Sequence, residues 1–258
     1  TLAAALREAV SCAGIYERSD VEVRAHEGLS PRMGVLYGDT PPPESKVLEH
    51  GNRFLVDLAG GQKTGFYLDQ RENRCALARY APGRETLDAF AYSGGFSVYA
   101  ARAGAGPITV LDVSAEALAL AERNLALNGL QREQDTVQRG DVFEMLRLYR
   151  DQGRSFDLII LDPPKFAPTR RHVQRASRAY KDINLLALKL LRSAGILFTF
   201  SCSGGVDAAL FQKIVFGAAV DARREVQIVE RLSQGADHPV LLSFPESAYL
   251  KGLVCRVL

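Results

Sequence analysis

Thr86-Leu-Asp-Ala-Phe-Ala-Tyr-Ser-Gly-Gly-Phe-Ser97 reads as a short apolar strand that breaks at two adjacent glycines and continues as a helix. Paired glycines at a strand-to-helix turn let a ligand approach the backbone closely, because neither carries a Cβ. The same alternation runs on to the C-terminus. Strands are expected at Thr86–Phe90, Ile108–Asp112, Thr136–Gln138, Phe156–Asp162, Ile196–Ser201, Val226–Leu232 and Tyr249–Val257. Helical patterns lie between most of them. Residues 114–127 form one, stopped by Asn128-Gly129. Asp141, with Glu144 three residues on, resembles a helix start. Ala179, Ile183, Leu186 and Leu190 fall on one helical stripe. Regular alternation of this kind predicts an α/β fold, a doubly wound, mostly parallel sheet of six or seven strands with helices on both faces.

Upstream the pattern changes. Residues 1–13 read as a short helix rich in Ala and Leu, and Val21-Glu22-Val23 as a strand. Pro41-Pro42-Pro43 enforces a loop. Val47–Glu49 and Arg53–Leu58 flank His50-Gly51-Asn52 and predict a β-hairpin. A boundary is expected near residues 60–75, with 1–60 forming part of a small α+β domain and 61–258 the larger one. The chain opens at Thr1 rather than Met, which suggests a piece of a longer protein.

Composition excludes several classes. The 258 residues are 47% hydrophobic and 24% charged, and the longest apolar stretches are strand-sized, so no transmembrane helix is expected. No basic start with an apolar stretch and small-residue cleavage site is present, so no secretory signal is expected. Cys12, Cys75, Cys202 and Cys255 are scattered and form no CxxC pair, which argues against a zinc ribbon or a dense disulfide framework. A reduced, cytoplasmic setting follows as an expectation. His26, His50, His172 and His238 lack ligand-like spacing, so no metal is expected. A formal net charge of +2 does not identify a nucleic-acid binder, and any RNA site must be a local patch.

In open α/β sheets, ligands bind beyond the C-terminal ends of the central strands. After the first strand come Tyr92, Ser93, Gly94, Gly95 and Phe96. After the second, Asp112 lies 18 residues beyond Gly94, where a carboxylate accepts ribose hydroxyls. Asp141 either reaches an adenine amino group or merely caps its helix. The three-glycine pyrophosphate pattern is missing, so a cofactor with a ribose and no pyrophosphate fits better, namely S-adenosylmethionine. The fourth strand ends in Asp162-Pro163-Pro164-Lys165-Phe166, a stiff turn with a carboxylate at its rim. Asp-Pro-Pro followed by an aromatic typifies amino-group methylation, but Lys165 holds the aromatic position here.

The fifth strand runs Phe198-Thr-Phe-Ser-Cys202-Ser-Gly-Gly205. Cys202 falls at its C-terminal end, before a glycine turn. A buried cysteine acting as a small hydrophobe is the alternative. C5 of cytosine is a poor nucleophile until a thiolate adds at C6, after which an acid near N3 and a base for the C5 proton complete the exchange. Asp162 is the expected N3 group. Basic residues from Lys165 to Arg178, among them Arg170 and Arg171, follow the proline turn and suggest phosphate contact. Phe166 and Tyr180 either stack on a base or pack. His238 either touches the substrate or is structural.

Assembled, these residues resemble the bacterial ribosomal RNA large subunit methyltransferase I family, which makes 5-methylcytosine in 23S rRNA. The resemblance rests on Gly61-Gln-Lys-Thr-Gly-Phe-Tyr-Leu-Asp-Gln-Arg71, Tyr92-Ser-Gly-Gly-Phe96, Asp162-Pro-Pro-Lys-Phe166, Tyr180-Lys-Asp-Ile-Asn184, Ser201-Cys-Ser203 and Ala236-Asp-His-Pro239. It runs from about residue 45 to the end. It implies a Rossmann-like class I methyltransferase domain, preceded by a small α+β domain and an N-terminal PUA RNA-binding domain for which this chain has no room. It implies Cys202 as nucleophile and a cofactor pocket on Tyr92 to Phe96, Asp112, Asp141 and Asp162. Lys63 to Arg71, with Phe66, Asp69 and Arg71 among them, would line the cofactor or substrate side. The implied partner is 23S rRNA or the large ribosomal subunit, with no membrane partner. Amino-group methylation of RNA or protein, and a non-catalytic cofactor- or RNA-binding scaffold, are the alternatives.

Overall fold

The computed structural model describes residues 2–20, 23–61, 65–166 and 172–258, without the side chains of residues 23 and 26. It divides into two compact units, Thr1–Tyr67 and Leu68–Leu258. The first holds helix α1 (Leu2–Ala9), strand β1 (Gly14–Ser19), helix α2 (Val23–His26) and strands β2 (Arg32–Gly38), β3 (Ser45–Glu49) and β4 (Asn52–Val56). β1 pairs antiparallel with β2, and β3 with β4. The β3–β4 hairpin forms at the expected place. His50 and Gly51 both take positive φ, 46° and 80°, the conformation that matches the twist of a two-residue hairpin turn. The expected strand at Val21-Glu22-Val23 is corrected at Val23, which opens a helical turn; residues 21 and 22 lie outside the described residues.

The second unit carries a seven-stranded sheet in the order β10-β11-β9-β8-β5-β6-β7. Its strands are β5 (Thr86–Ala89), β6 (Ile108–Asp112), β7 (Thr136–Arg139), β8 (Phe156–Leu161), β9 (Leu191–Ser201), β10 (Val226–Ser233) and β11 (Lys251–Val257). β7, β6, β5, β8 and β9 are mutually parallel; β11 inserts antiparallel between β9 and β10. This is the doubly wound α/β sheet expected from the sequence. The strand order reverses between β5 and β8, so a crevice opens past their C-terminal ends.

Helices α3 (Arg71–Leu77), α4 (Gly95–Arg102), α5 (Ala115–Leu127), α6 (Val142–Asp151), α7 (Val173–Leu190) and α8 (Ala208–Ala222) connect the strands. The starts of α5, α6 and α8 carry side-chain caps. Ser114 accepts from the Ala117 N–H, Asp141 from Glu144 and Asp207 from Leu210, each satisfying an otherwise orphaned donor. The core gathers Leu87, Leu111, Ile159, Leu161 and Leu197 from the strands against Leu146 of α6, Ile183 and Leu186 of α7 and Phe211 of α8. Each fully buried aliphatic chain contributes about 1.5–3 kcal/mol. Phe96 of α4 stacks on Phe200 of β9, ring centroids 5.6 Å apart.

Candidate active site

The turn after β5 is built by backbone constraint. Phe90 and Tyr92, neither a glycine, adopt positive φ (63° and 48°), and Gly94 follows at 71°. Left-handed non-glycine residues cost about 1–3 kcal/mol each and cluster where a backbone must present its groups in a set direction. Gly94 is required twice over. It caps α4 in the left-handed region, and a Cβ there would lie 2.8 Å from the Cβ of Ala121. Three side chains lock the turn. Asp112 accepts from the Tyr92 N–H (2.9 Å) and the Ser114 N–H (3.0 Å). Asn124 donates to the Ser93 carbonyl at 2.9 Å. Asp88 accepts from both the N–H and the hydroxyl of Ser97, at 3.0 and 2.6 Å.

Asp112 is partly exposed at the end of β6, and each carboxylate oxygen retains acceptor capacity for a ribose hydroxyl. Asp141 caps α6 and is exposed. The structure therefore gives it the capping role, which leaves its second oxygen available.

Past β8, Asp162 faces a buried polar group drawn from the segment that opens the unit. Gln70 is hydrogen-bonded to Asp162, and Asp69 and Arg74 act on it electrostatically. Gln70 is oriented by Asn73, whose side-chain amide donates to it at 2.6 Å. Burial, reinforced by the neighbouring Asp69 and Asp88 charges, pushes the Asp162 carboxyl up to about 7, while Gln70 and Arg74 oppose the rise. Asp88 is likewise pushed up to about 7 by burial, against its hydrogen bonds from Ser97. Asp162 at the crevice and Asp88 in the core beside it are thus partly protonated near pH 7.

Asp69 is buried. Its Oδ2 accepts from the Tyr249 hydroxyl at 2.6 Å, while Oδ1 has no hydrogen-bond partner among the described residues. A buried carboxylate oxygen without a donor costs about 1–3 kcal/mol or more unless a bound group supplies one. This orphan suits the amino group of S-adenosylmethionine, and the carboxylate of Asp112 suits its ribose. The residues present therefore fit that cofactor. Arg71 pairs with Asp237 at 2.9 Å, and His238 with the same Asp237 at 3.2 Å, so the segment 236–239 is drawn beside Asp69–Arg71. Phe66 belongs to the first unit, where its ring packs against Phe54.

Cys202 follows the last residue of β9 and is partly exposed, whereas Ser201 and Ser203 on either side are buried. Cys255, by contrast, is fully buried in the core and burial pushes its thiol up to about 12, the inert kind of cysteine. Tyr180 sets the position of the Cys202 turn. Its ring is fully buried, its hydroxyl lies 3.0 Å from the Ser203 hydroxyl, and it also bonds Ser201 and the Phe166 backbone. Base stacking by Tyr180 is therefore corrected: the side chain is a tie between the 162–166 turn and the Cys202 turn. Phe166 is partly buried within the rings of Phe90, Phe143 and Tyr180, and Lys165 is exposed. Arg170 and Arg171, like Lys63, lie outside the described residues.

The sequence assigned no role to Asp88, Arg74, Tyr249 or Lys251, and placed Gln70 only within the stretch from Lys63 to Arg71. A carboxylate inside an otherwise apolar β5, and a polar Tyr-x-Lys entry to the apolar β11, were the available signals. Among the described residues no group of three metal-ligating side chains converges, and no helix is long and apolar enough to cross a membrane.

The chain's sequence matches the family model for S-adenosylmethionine-dependent methyltransferases over residues 33–256. It is 51% identical over 257 residues to a ribosomal RNA large subunit methyltransferase I from Erwinia tasmaniensis, covering all of this chain and 65% of that protein. It is 53% identical over 243 residues to one of the same name from Shewanella denitrificans, covering 94% of this chain and 61% of that protein. The chain thus spans 61% to 65% of these curated relatives. A candidate SAM-dependent methyltransferase from Streptococcus mutans superposes with a TM-score of 0.86 at 26% identity, over 99% of this chain and 64% of that one. A candidate methyltransferase solved with SAH superposes with the same TM-score, identity and coverage.

Proposed function

Given that the chain belongs to the S-adenosylmethionine-dependent methyltransferase family, we propose that it methylates C5 of a cytosine in 23S rRNA through a transient bond to Cys202. The observation that carries this reading is a partly exposed thiol tied by Tyr180 to the Asp162 turn. The names of the half-identical relatives point to ribosomal RNA as substrate, and with it to a cytoplasmic location.

When bound, the cofactor supplies the methyl group as an electrophile. Asp112, the Tyr92–Phe96 turn, Asp69 and the free oxygen of Asp141 would hold it, with Arg71 holding Asp237 alongside. The chain's own residues do the rest. The Cys202 sulfur forms a bond to C6, and the displaced electron pair moves toward N3. Asp162, partly protonated near pH 7 because burial and Asp69 raise it to about 7, gives its proton to N3. C5, now enamine-like, bonds to the methyl carbon as that carbon's bond to the donor sulfur breaks, with the thioether as leaving group. Loss of the C5 proton to a base and departure of the sulfur from C6 restore the aromatic ring, and N3 returns its proton to Asp162. Lys165 and the basic residues after it would meet backbone phosphates.

The test uses the full-length protein with 23S rRNA from cells lacking it. Cys202→Ala is expected to abolish 5-methylcytosine formation, a loss of about a thousandfold or more, and to leave cofactor affinity nearly unchanged. A fully active Cys202→Ala protein that forms a methylated amino group would instead support the amino-group chemistry associated with the Asp162-Pro-Pro turn. No S-adenosylhomocysteine produced with any RNA would support a scaffold.

A further inference from the structure

Strand β11 enters the sheet out of sequence order, and its antiparallel register sets Lys251 opposite Ser201, the residue before Cys202. The lysine is partly buried. Its Nζ donates to the Ser203 carbonyl at 2.8 Å and to the Tyr249 carbonyl at 2.7 Å. These acceptors fix the ammonium on the turn that carries the thiol. They are neutral, so they orient the charge without cancelling it, and an ammonium has a third N–H to offer. The Cys202 sulfur acts electrostatically on Lys251, on Tyr249 and on Tyr180. Lys165, from the turn after β8, and Asp207, from the cap of α8, also act on Lys251. Among the described residues Tyr249, Tyr180, Lys165 and Asp207 are the four titratable groups that face the couple. Burial lowers Lys251 to about 8, against the pull of Cys202 and Asp207. A cation kept half out of water there gains most from an anion forming beside it.

We propose that Lys251 is a positioning residue whose ammonium, anchored on the Ser203 and Tyr249 carbonyls, holds Cys202 as its thiolate. The proton of Cys202 passes to solvent, no bond to carbon forms at this stage, and the thiolate and ammonium titrate as a pair. The proposal deepens the assignment of Cys202 as nucleophile and rests on it.

The test reads the thiol without RNA or cofactor. The rate of iodoacetamide alkylation at Cys202 is followed against pH, with the Cys202 peptide resolved by mass so that exposed Cys12 and Cys75 do not interfere. The native midpoint is expected below the ~8.5 of an unperturbed thiol. Lys251→Met is expected to raise it by about one unit, slowing alkylation at pH 7 roughly tenfold. Lys251→Arg should keep the native midpoint. Lys251→Gln, which retains donors for the two carbonyls but no charge, should behave like Lys251→Met; a purely structural role would leave its midpoint at the native value. A native midpoint at or above the ordinary thiol value, or an unmoved midpoint in folded Lys251→Gln, overturns the proposal. Shifted alkylation with no 5-methylcytosine in the full-length assay would reject the proposed reaction and leave the Lys251–Cys202 couple standing.

Discussion

Replacing Gly94 with Ala should cost the larger unit more than any exposed glycine substitution, and the sum can be worked from two terms. The backbone at Gly94 sits at φ 71°, where an L side chain costs about 1–2 kcal/mol. The new Cβ would also lie 2.8 Å from the Cβ of Ala121 on α5, and overpacking of this kind costs about 1–3 kcal/mol. Gly129 provides the control. It has φ 66° with no heavy atom within 4 Å of a built Cβ, so Gly129→Ala carries the conformational term alone. Taking about 3 °C per kcal/mol for a unit of this size, Gly94→Ala should lower the melting temperature by roughly 6–15 °C and Gly129→Ala by roughly 3–6 °C. Thermal unfolding by circular dichroism reads both. The close contact joins α4 to α5, and the turn between β5 and α4 presents the Tyr92 N–H to Asp112. Cofactor affinity should therefore fall about tenfold or more in Gly94→Ala, equivalent to about 1.4 kcal/mol, and stay put in Gly129→Ala. Equal melting shifts in the two variants would refute the packing argument.

Three other outcomes follow from buried polar groups. Asp88 is raised from 3.8 to about 7, so between those values the folded chain holds a proton that the unfolded chain has lost. Its contribution to stability is complete below pH ~4 and fades as pH rises through ~7; urea unfolding should show Asp88→Asn removing on the order of 2 kcal/mol of the stability lost between about pH 5 and 7. Tyr180→Phe should destabilise by about 1–2 kcal/mol in the same assay, because Ser203 loses a buried partner; no loss would reopen a role for this ring outside the core. Turnover of the full-length protein should fall as pH rises through about 7 where protonated Asp162 is needed, and Asp162→Asn should lower it about a hundredfold or more while flattening that limb. An unchanged limb in the variant would assign the titration to another group.

The sheet was legible because its inner strands β5, β6, β8, β9 and β11 are mostly buried and read as short apolar runs between helical patterns, while the more exposed β7 and β10 follow from the alternation. All seven expected strands appear; β9 starts earlier, at Leu191, because its first residues run through a turn with Ala194 at φ 60° that hides the strand pattern. β1 and β2 escaped notice since the residues of β1 are at most half-buried, those of β2 are largely exposed, and neither shows apolar alternation. At the crevice, turns formed by consecutive residues were readable: the Gly94-Gly95 turn, the Asp162-Pro-Pro rim and Cys202 at a strand end. Groups assembled from distant segments were not. Lys251 meets the Cys202 turn only because β11 slots between β9 and β10, and Asp69 approaches Asp162 from 93 positions away in the chain. For Tyr180 the sequence left stacking on a base and packing open, because the stripe read through Ala179 and Ile183 does not say where its neighbour points. The buried face of α7 runs through Ala176, Tyr180, Ile183 and Ala187, which takes the ring into the core rather than onto a surface.

The most direct measurement is a covalent trap. Full-length protein is incubated with S-adenosylmethionine and a 23S rRNA substrate carrying 5-fluorocytosine, whose fluorine cannot leave C5 as a proton does. A denaturation-resistant protein–RNA complex is expected, joined at Cys202 by peptide mass and absent from Cys202→Ala. A transferred methyl group with no such complex, or a complex joined through another residue, would contradict the Cys202 adduct.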